Sequence, residues 1–242
     1  MSKDKKASDQ NAEKPKITIQ RDGPLAVTGN VPLKKEIIGI GAEDEPETWI
    51  EGEHYPQKAE YTLCRCGQSK NHPYCDGTHK EVGWDGTETA SRKNYRDACD
   101  NIEGPDLILS DSPDLCAVAR FCHISKGTWG LTRESDDPEK KAMAIQQAYN
   151  CPSGRLVARE KKTGKVHEPA FEPSISLIED PQKNVSGPLW VKGGIPIESA
   201  DGTPYEVRNR VTLCRCGQSK NKPFCDGSHI GEGFSDGDES LS

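Results

Sequence analysis

The sequence predicts an α+β, strand-dominated fold, built as two similar halves around a middle segment. Three observations carry that expectation: an internal repeat, period-two alternation ahead of each copy of it, and too few apolar residues for one large core. The repeat is the strongest of the three. Thr62-Leu63-Cys64-Arg65-Cys66-Gly67-Gln68-Ser69-Lys70-Asn71 recurs residue for residue at Thr212 through Asn221. Pro73-Tyr74-Cys75-Asp76-Gly77-Thr78-His79 then answers Pro223-Phe224-Cys225-Asp226-Gly227-Ser228-His229. Five residues after each histidine stands an aromatic preceded by glycine, Gly83-Trp84 and Gly233-Phe234.

The strands are read from alternation. Ile17 and Ile19 alternate with polar neighbours, as do Ile175 and Leu177, and Leu25/Val27 and Leu189/Val191 keep the same period. Gly29-Asn30 and Gly193-Gly194 mark turns after them. Gly23-Pro24-Leu25-Ala26-Val27 matches Gly187-Pro188-Leu189-Trp190-Val191, so each copy places strands first and cysteines last. The first copy carries a longer insertion around Gly39 to Pro56. Glu139 to Tyr149, rich in Ala and Gln, predicts a short helix. The expected organisation is a flexible tail over residues 1–16, a first module over 17–89, a middle segment over 90–165 and a second module over 166–242.

Composition limits the size of any single core. Only 32% of the 242 residues are hydrophobic and 29% are charged, and the 23 glycines and 17 prolines favour turns. Small modules of this kind are commonly stabilised by something besides apolar burial, such as a metal site. A net charge of -7, from 32 basic against 39 acidic residues, argues against a nucleic-acid partner, which needs a basic stripe. The sequence holds nothing like the ~18 consecutive apolar residues of a membrane span. The charged stretch Met1 to Lys16 lacks a signal peptide's apolar centre. The expectation is a cytoplasmic chain without a membrane partner, where ten cysteines signify metal or redox chemistry more than disulfides.

Two cysteines one residue apart, Cys64 and Cys66, reach one metal only on a tightly curved loop, and Gly67 lets the backbone approach closely. Pro73 and Pro223 fix the chain before the third cysteine. Cys75 and His79 stand four residues apart, about one helical turn, with Asp76 expected as the N-cap of that turn. Cluster iron prefers thiolate, and imidazole in its place raises the reduction potential. Three cysteines and a histidine equally suit zinc, although zinc pairs are usually two to four residues apart.

The segments Cys64–His79 and Cys214–His229 resemble the CDGSH iron–sulfur family. The second copy carries Cys225-Asp226-Gly227-Ser228-His229 letter for letter; the first has Thr78 for the serine. The resemblance implies two 2Fe–2S clusters. One would be bound by Cys64, Cys66, Cys75 and His79, the other by Cys214, Cys216, Cys225 and His229. It further implies an intramolecular pseudo-dimer: a monomer with an internal pseudo-twofold, each copy standing in for one subunit of a dimeric relative.

The middle segment holds Cys99, Cys116, Cys122 and Cys151. Cys151-Pro152-Ser153-Gly154 and Leu115 to Cys122 resemble a divergent ferredoxin-like module, but the run of cysteines two residues apart is missing. The expectation here is thiols packed as small apolar residues, and about four irons per chain. His54, His72, His123 and His167 are read as ordinary surface or packing histidines.

The function expected is electron transfer or iron–sulfur cluster transfer to a redox or apo-acceptor protein partner, by a chain that is not an enzyme. A zinc-binding interaction module and a component of a redox enzyme are the alternatives. No phosphate-binding glycine loop or nucleotide fingerprint supports the enzyme reading.

Overall fold

A computed structural model describes residues 13–241 of the chain. The tail expected over residues 1–16 lies, for residues 1–12, outside the described residues. The first half forms β1 (Lys16–Ile19), β2 (Leu25–Thr28), β3 (Leu33–Ile40), β4 (Pro46–His54), β5 (Glu60–Leu63) and α1 (Thr78–Glu81). The middle forms α2 (Tyr95–Ala98), β6 (Asp100–Glu103), β7 (Leu107–Asp111), α3 (Gly127–Arg133), α4 (Pro138–Asn150), β8 (Leu156–Glu160) and β9 (Val166–His167). The second half forms β10 (Ser174–Asp180), β11 (Val185–Lys192), β12 (Ile197–Glu198), β13 (Arg210–Leu213) and α5 (Ser228–Gly231).

The halves exchange strands. β1 pairs in parallel with β12 of the second half, Ile17 opposite Ile197. Its counterpart β10 pairs in parallel with β3 of the first half, Ile175 opposite Leu33. Within each half the same antiparallel hairpin recurs, Ile17 opposite Val27 and Ile175 opposite Val191. Two sheets result, ordered β12-β1-β2-β5 and β13-β11-β10-β3-β4, each containing strands of both halves. The structure is the expected pseudo-dimer, and the exchange explains why it forms. Each half supplies one small apolar set, and pairing merges the two.

The merged core follows the repeat. Ile17, Ile19, Leu25, Val27 and Leu63 pack with their counterparts Ile175, Leu177, Leu189, Val191 and Leu213 in one buried cluster. Each such side chain contributes about 1.5–3 kcal/mol on full burial. The insertion of the first half is the β3–β4 hairpin, closed by backbone bonds between Gly41 and Glu45. Its Trp49 ring lies 4.7 Å from Phe121 of the middle and 4.8 Å from Trp190 of β11.

The middle segment has its own sheet, β6-β7-β8-β9, covered by α3 and α4 through Leu107, Leu109, Leu131, Ala144, Ala148 and Leu156. The helix expected over Glu139–Tyr149 is α4, begun by Asp137, whose carboxylate accepts from the Glu139 and Lys140 N–H groups. β9 pairs with β8, so Val166 and His167, placed by sequence in the second module, join the middle sheet. Arg210 of β13 fastens the middle to the second half. Its buried guanidinium donates to the carbonyls of Cys151, Ala148 and Leu156, at the end of α4 where a cation is favoured.

A shared core predicts shared unfolding. Ile17→Ala, at a fully buried position of the first half, should cost about 2–5 kcal/mol. Hydrogen exchange of the β13 amides, in the second half, should shift to lower urea together with that of the β2 amides. Unshifted exchange at β13 would mean that the halves have separate cores.

Candidate metal centres

β5 and β13 end immediately before Cys64 and Cys214, so each Cys-x-Cys pair leaves a strand of the shared core. The chain then turns and is tied back. Cys64 N–H donates to the Pro73 carbonyl at 2.8 Å and Cys75 N–H to Thr62 at 3.0 Å; Cys214 and Cys225 repeat both bonds at 2.8 and 2.9 Å. The short helices carrying His79 and His229 begin at Gly77 and Gly227, which are left-handed with φ of 93° and 88°. This corrects the sequence expectation for Asp76, which is not the N-cap. The glycine takes the cap because only it enters that backbone region without cost. Asp76 braces the loop instead, accepting from Lys70 N–H at 2.8 Å and Thr78 N–H at 3.0 Å, and Asp226 does the same.

The candidate ligands fall into close pairs. Cys64 Sγ and Cys66 Sγ are 3.6 Å apart, and Cys75 Sγ and His79 Nδ1 are 3.4 Å apart. In the second copy the distances are 3.7 Å for Cys214/Cys216 and 3.5 Å for Cys225/His229. Among the described residues, no three of either set have their donor atoms all within 4.8 Å of one another. Each set is therefore two pairs held apart. Hydrogen bonding from Cys66 draws the Cys64 thiol down, with His72 adding to it against burial. His72, read from sequence as an ordinary histidine, thus faces Cys64. Its Nε2 is buried without a hydrogen-bond partner. The second pair behaves alike, Cys216 drawing the Cys214 thiol down. Burial lowers His229 to about 4, and the Arg215 charge acts in the same direction.

Between the paired cysteines stand Arg65 and Arg215, each 1% exposed. Arg65 donates to the carbonyls of Gly23 and Gln20, and Arg215 to those of Gly187 and Ile178. Arg215 also pairs with Glu179 at 2.7 Å and with Asp236. Arg65 thereby ties its loop to the β1–β2 turn, and Arg215 ties its loop to β10 and β11. Sequence reasoning passed over both, although their recurrence inside the repeat was the available signal.

The loops of the two copies face each other. A Cβ on Gly67 would lie 2.4 Å from the Cys216 carbonyl oxygen, and one on Gly217 would lie 2.3 Å from that of Cys66. Trp84 of the first copy reaches across to donate to the Gly217 carbonyl at 3.2 Å. Phe234 of the second packs on Cys214 and Cys216, its ring 6.0 Å from that of His72.

A third site lies in the middle segment. Cys116, Cys122 and Cys151 line one cavity of about 200 Å³ with Phe121, Ser153 and Arg155. That is on the order of ten times the space one water needs. Burial, with Cys151 and Cys116 close by, pushes the Cys122 thiol up to about 12. Arg155, locked to Asp111 at 2.6 Å, supplies positive charge beside Cys116. Cys99 does not join them. It lies by Tyr95, Arg96 and Arg208 at a separate depression. His123 borders the cavity, its ring 5.9 Å from Trp129.

A family model described as the iron-binding zinc finger of CDGSH type matches residues 22–80 and 186–230. Two CDGSH-type modules therefore flank the middle of this chain. A model described as a divergent 4Fe-4S mono-cluster matches residues 102–161, which include Cys116, Cys122 and Cys151 and leave out Cys99. The chain matches no curated protein and no solved structure. Together the matches support iron–sulfur cluster binding, and the second of them covers the three convergent cysteines. No helix among the described residues is long and apolar enough to cross a membrane.

The glycines of the CDGSH modules make a graded test. Gly67→Ala meets backbone of the other module at φ 76°, and should cost about 2–5 kcal/mol. Gly77→Ala has φ 93° but nothing within 4 Å of the added Cβ, and should cost only about 1–2 kcal/mol. Urea titration of both variants decides; equal losses would mean that the loops do not press on each other.

Proposed function

We propose that each CDGSH module binds a 2Fe–2S cluster through three cysteines and one histidine. Cys64, Cys66, Cys75 and His79 form one set; Cys214, Cys216, Cys225 and His229 form the other. The observation that carries this is the division of each set into two close pairs. A tetrahedral zinc ion with Zn–S near 2.3 Å would draw all four donors to about 3.3–3.8 Å of one another. Two irons bridged by sulfide instead need one pair on each iron, separated by the width of the core. The donor distances of 3.4–3.7 Å within pairs, with no triple inside 4.8 Å, suit the second arrangement. The N–H of Gly227, aimed at Cys225 Sγ at 3.4 Å, favours a thiolate at that position.

A third cluster in the middle belongs to the same reading, held by Cys116, Cys122 and Cys151. When bound, such clusters supply reversible one-electron chemistry. The protein's residues fix their charge, burial and solvent access. The function that follows is electron carriage or cluster donation to a redox or apo-acceptor protein, without a reaction centre for a small-molecule substrate.

Two measurements test this. Iron and sulfide analysis should exceed the about four irons that two 2Fe–2S clusters provide. Cys116→Ser with Cys151→Ser should restore about four, whereas Cys99→Ser should change nothing. A wild type holding zinc and no sulfide would overturn the reading. Redox titration addresses the ligands: His79→Cys and His229→Cys should each lower one midpoint potential by on the order of 100 mV, because thiolate donates more charge than imidazole. Unmoved potentials would remove the histidines from the ligand sets.

A further inference from the structure

We infer that the two CDGSH sites have different tasks. The first, Cys64, Cys66, Cys75 and His79, holds a cluster that leaves for an acceptor; the second, Cys214, Cys216, Cys225 and His229, holds one that stays. This rests on the 2Fe–2S reading above. The repeat makes the sites equal in sequence, and the middle segment makes them unequal in space. At Gly77 of the first site nothing lies within 4 Å of where a Cβ would be. At Gly227 of the second, that position is 2.3 Å from Val118 Cγ2 and 3.3 Å from the Cys116 carbonyl oxygen. The loop of the middle segment is thus laid directly over the second Cys-Asp-Gly-Ser-His turn.

Two residues of the turn itself show the same difference. Cys225 is 3% exposed, while its counterpart Cys75 is half-buried. Asp76 is exposed and Asp226 half-buried. Asn221 donates to the Asp114 carbonyl at 2.9 Å, tying the second site's loop to the middle segment once more. The covering loop is itself held in a demanding shape. Val118 and Arg120 are left-handed with φ of 55° and 67°, uncommon for a non-glycine and an outlier for a β-branched residue. Such strain persists only where the surroundings over-determine it. Here the surroundings are Phe121 clamped by Trp49 and Arg120 paired with Asp180 and Gln182. The cover is a fixed wall.

Exchange of a cluster needs an incoming thiolate to reach iron as a resident ligand departs. The exposed edge at Cys75 permits that approach, and Val118 blocks it at Cys225. The acceptor is an apo-protein offering four cysteine thiols. The oxidised core passes over with its two ferric irons and two sulfides unchanged. Four acceptor thiols release four protons: three return to Cys64, Cys66 and Cys75, one passes to solvent, and His79 leaves as neutral imidazole. No oxidant or reductant is required.

The test uses the full-length holoprotein mixed with plant-type apo-ferredoxin, with timed iodoacetamide labelling read by peptide mass spectrometry. Cys64, Cys66 and Cys75 should become alkylated as ferredoxin gains its cluster. Cys214, Cys216 and Cys225 should stay unlabelled for at least about ten times longer. Val118→Gly suits the existing backbone and removes the side chain over Gly227, so it should bring labelling of the second site to within about threefold of the first. Equal labelling of both sites in the wild type, or no acceleration in Val118→Gly, overturns the division of tasks. If the 2Fe–2S reading itself is at fault, the protein with Cys116→Ser and Cys151→Ser holds no acid-labile sulfide and ferredoxin gains no cluster.

Discussion

The structure depends on the exchange of strands between its halves. Neither half has the apolar surface for a core of its own, since each contributes a handful of aliphatic residues on strands of four to eight residues. Small sheets without a partner are marginal in water. Laying β1 against β12 and β10 against β3 turns two insufficient sets into one buried cluster. The same pairing fixes where the metal-binding loops go, because Cys64 and Cys214 follow directly on strands of that core. Fold stability and site geometry are therefore one problem in this chain. A change that loosens the shared sheet also displaces Gly67 from Cys216 and Gly217 from Cys66.

Charge placement under the loops follows the same economy of parts. A buried cation is unfavourable unless it is paired or fully hydrogen-bonded. Arg65 and Arg215 satisfy much of this through carbonyls of the preceding strands, and Arg215 has Glu179 and Asp236 besides. Arg65 Nη1 is left without a partner, and the Arg65 guanidinium lies 4.9 Å from the Trp84 ring. The two sites thus differ in how their buried arginines are paired as well as in what covers their turns.

The sequence made the candidate ligand sets, the hairpin strands and α4 legible, each for a local reason. A residue-for-residue repeat marks Cys64 to His79 and Cys214 to His229 without any knowledge of the fold. Alternation at Ile17/Ile19 and Leu25/Val27 shows which face is buried, and Ala-rich Glu139–Tyr149 has intrinsic helical preference. What stayed hidden was long-range. Parallel pairing of Ile17 with Ile197 joins residues far apart in the chain and leaves no periodic trace. The convergence of Cys116, Cys122 and Cys151 on one cavity, with Cys99 excluded, depends on α4 returning Cys151 to the loop at Cys116. His72 looked ordinary because the residues it meets, Cys64 and the Phe234 ring, lie across a turn and in the other copy. Asp76 was misplaced by one residue because the left-handed Gly77 takes the cap position.

Duplication within one chain has a consequence that a symmetric dimer cannot reach. In a homodimer with twofold symmetry, anything that covers one site covers the other equally. Joining the two copies through an intervening segment removes that restriction, because the segment can lie against only one of them. Here it lies against the second, through Val118 on Gly227, Asp114 to Asn221 and the guanidinium of Arg210. The β3–β4 hairpin, present in the first copy alone, supports the arrangement by carrying Trp49 to Phe121. The two departures from the repeat are thus physically connected. The insertion in one copy holds in place the segment that shields the other, and this turns a twofold repeat into a molecule with two distinct ends.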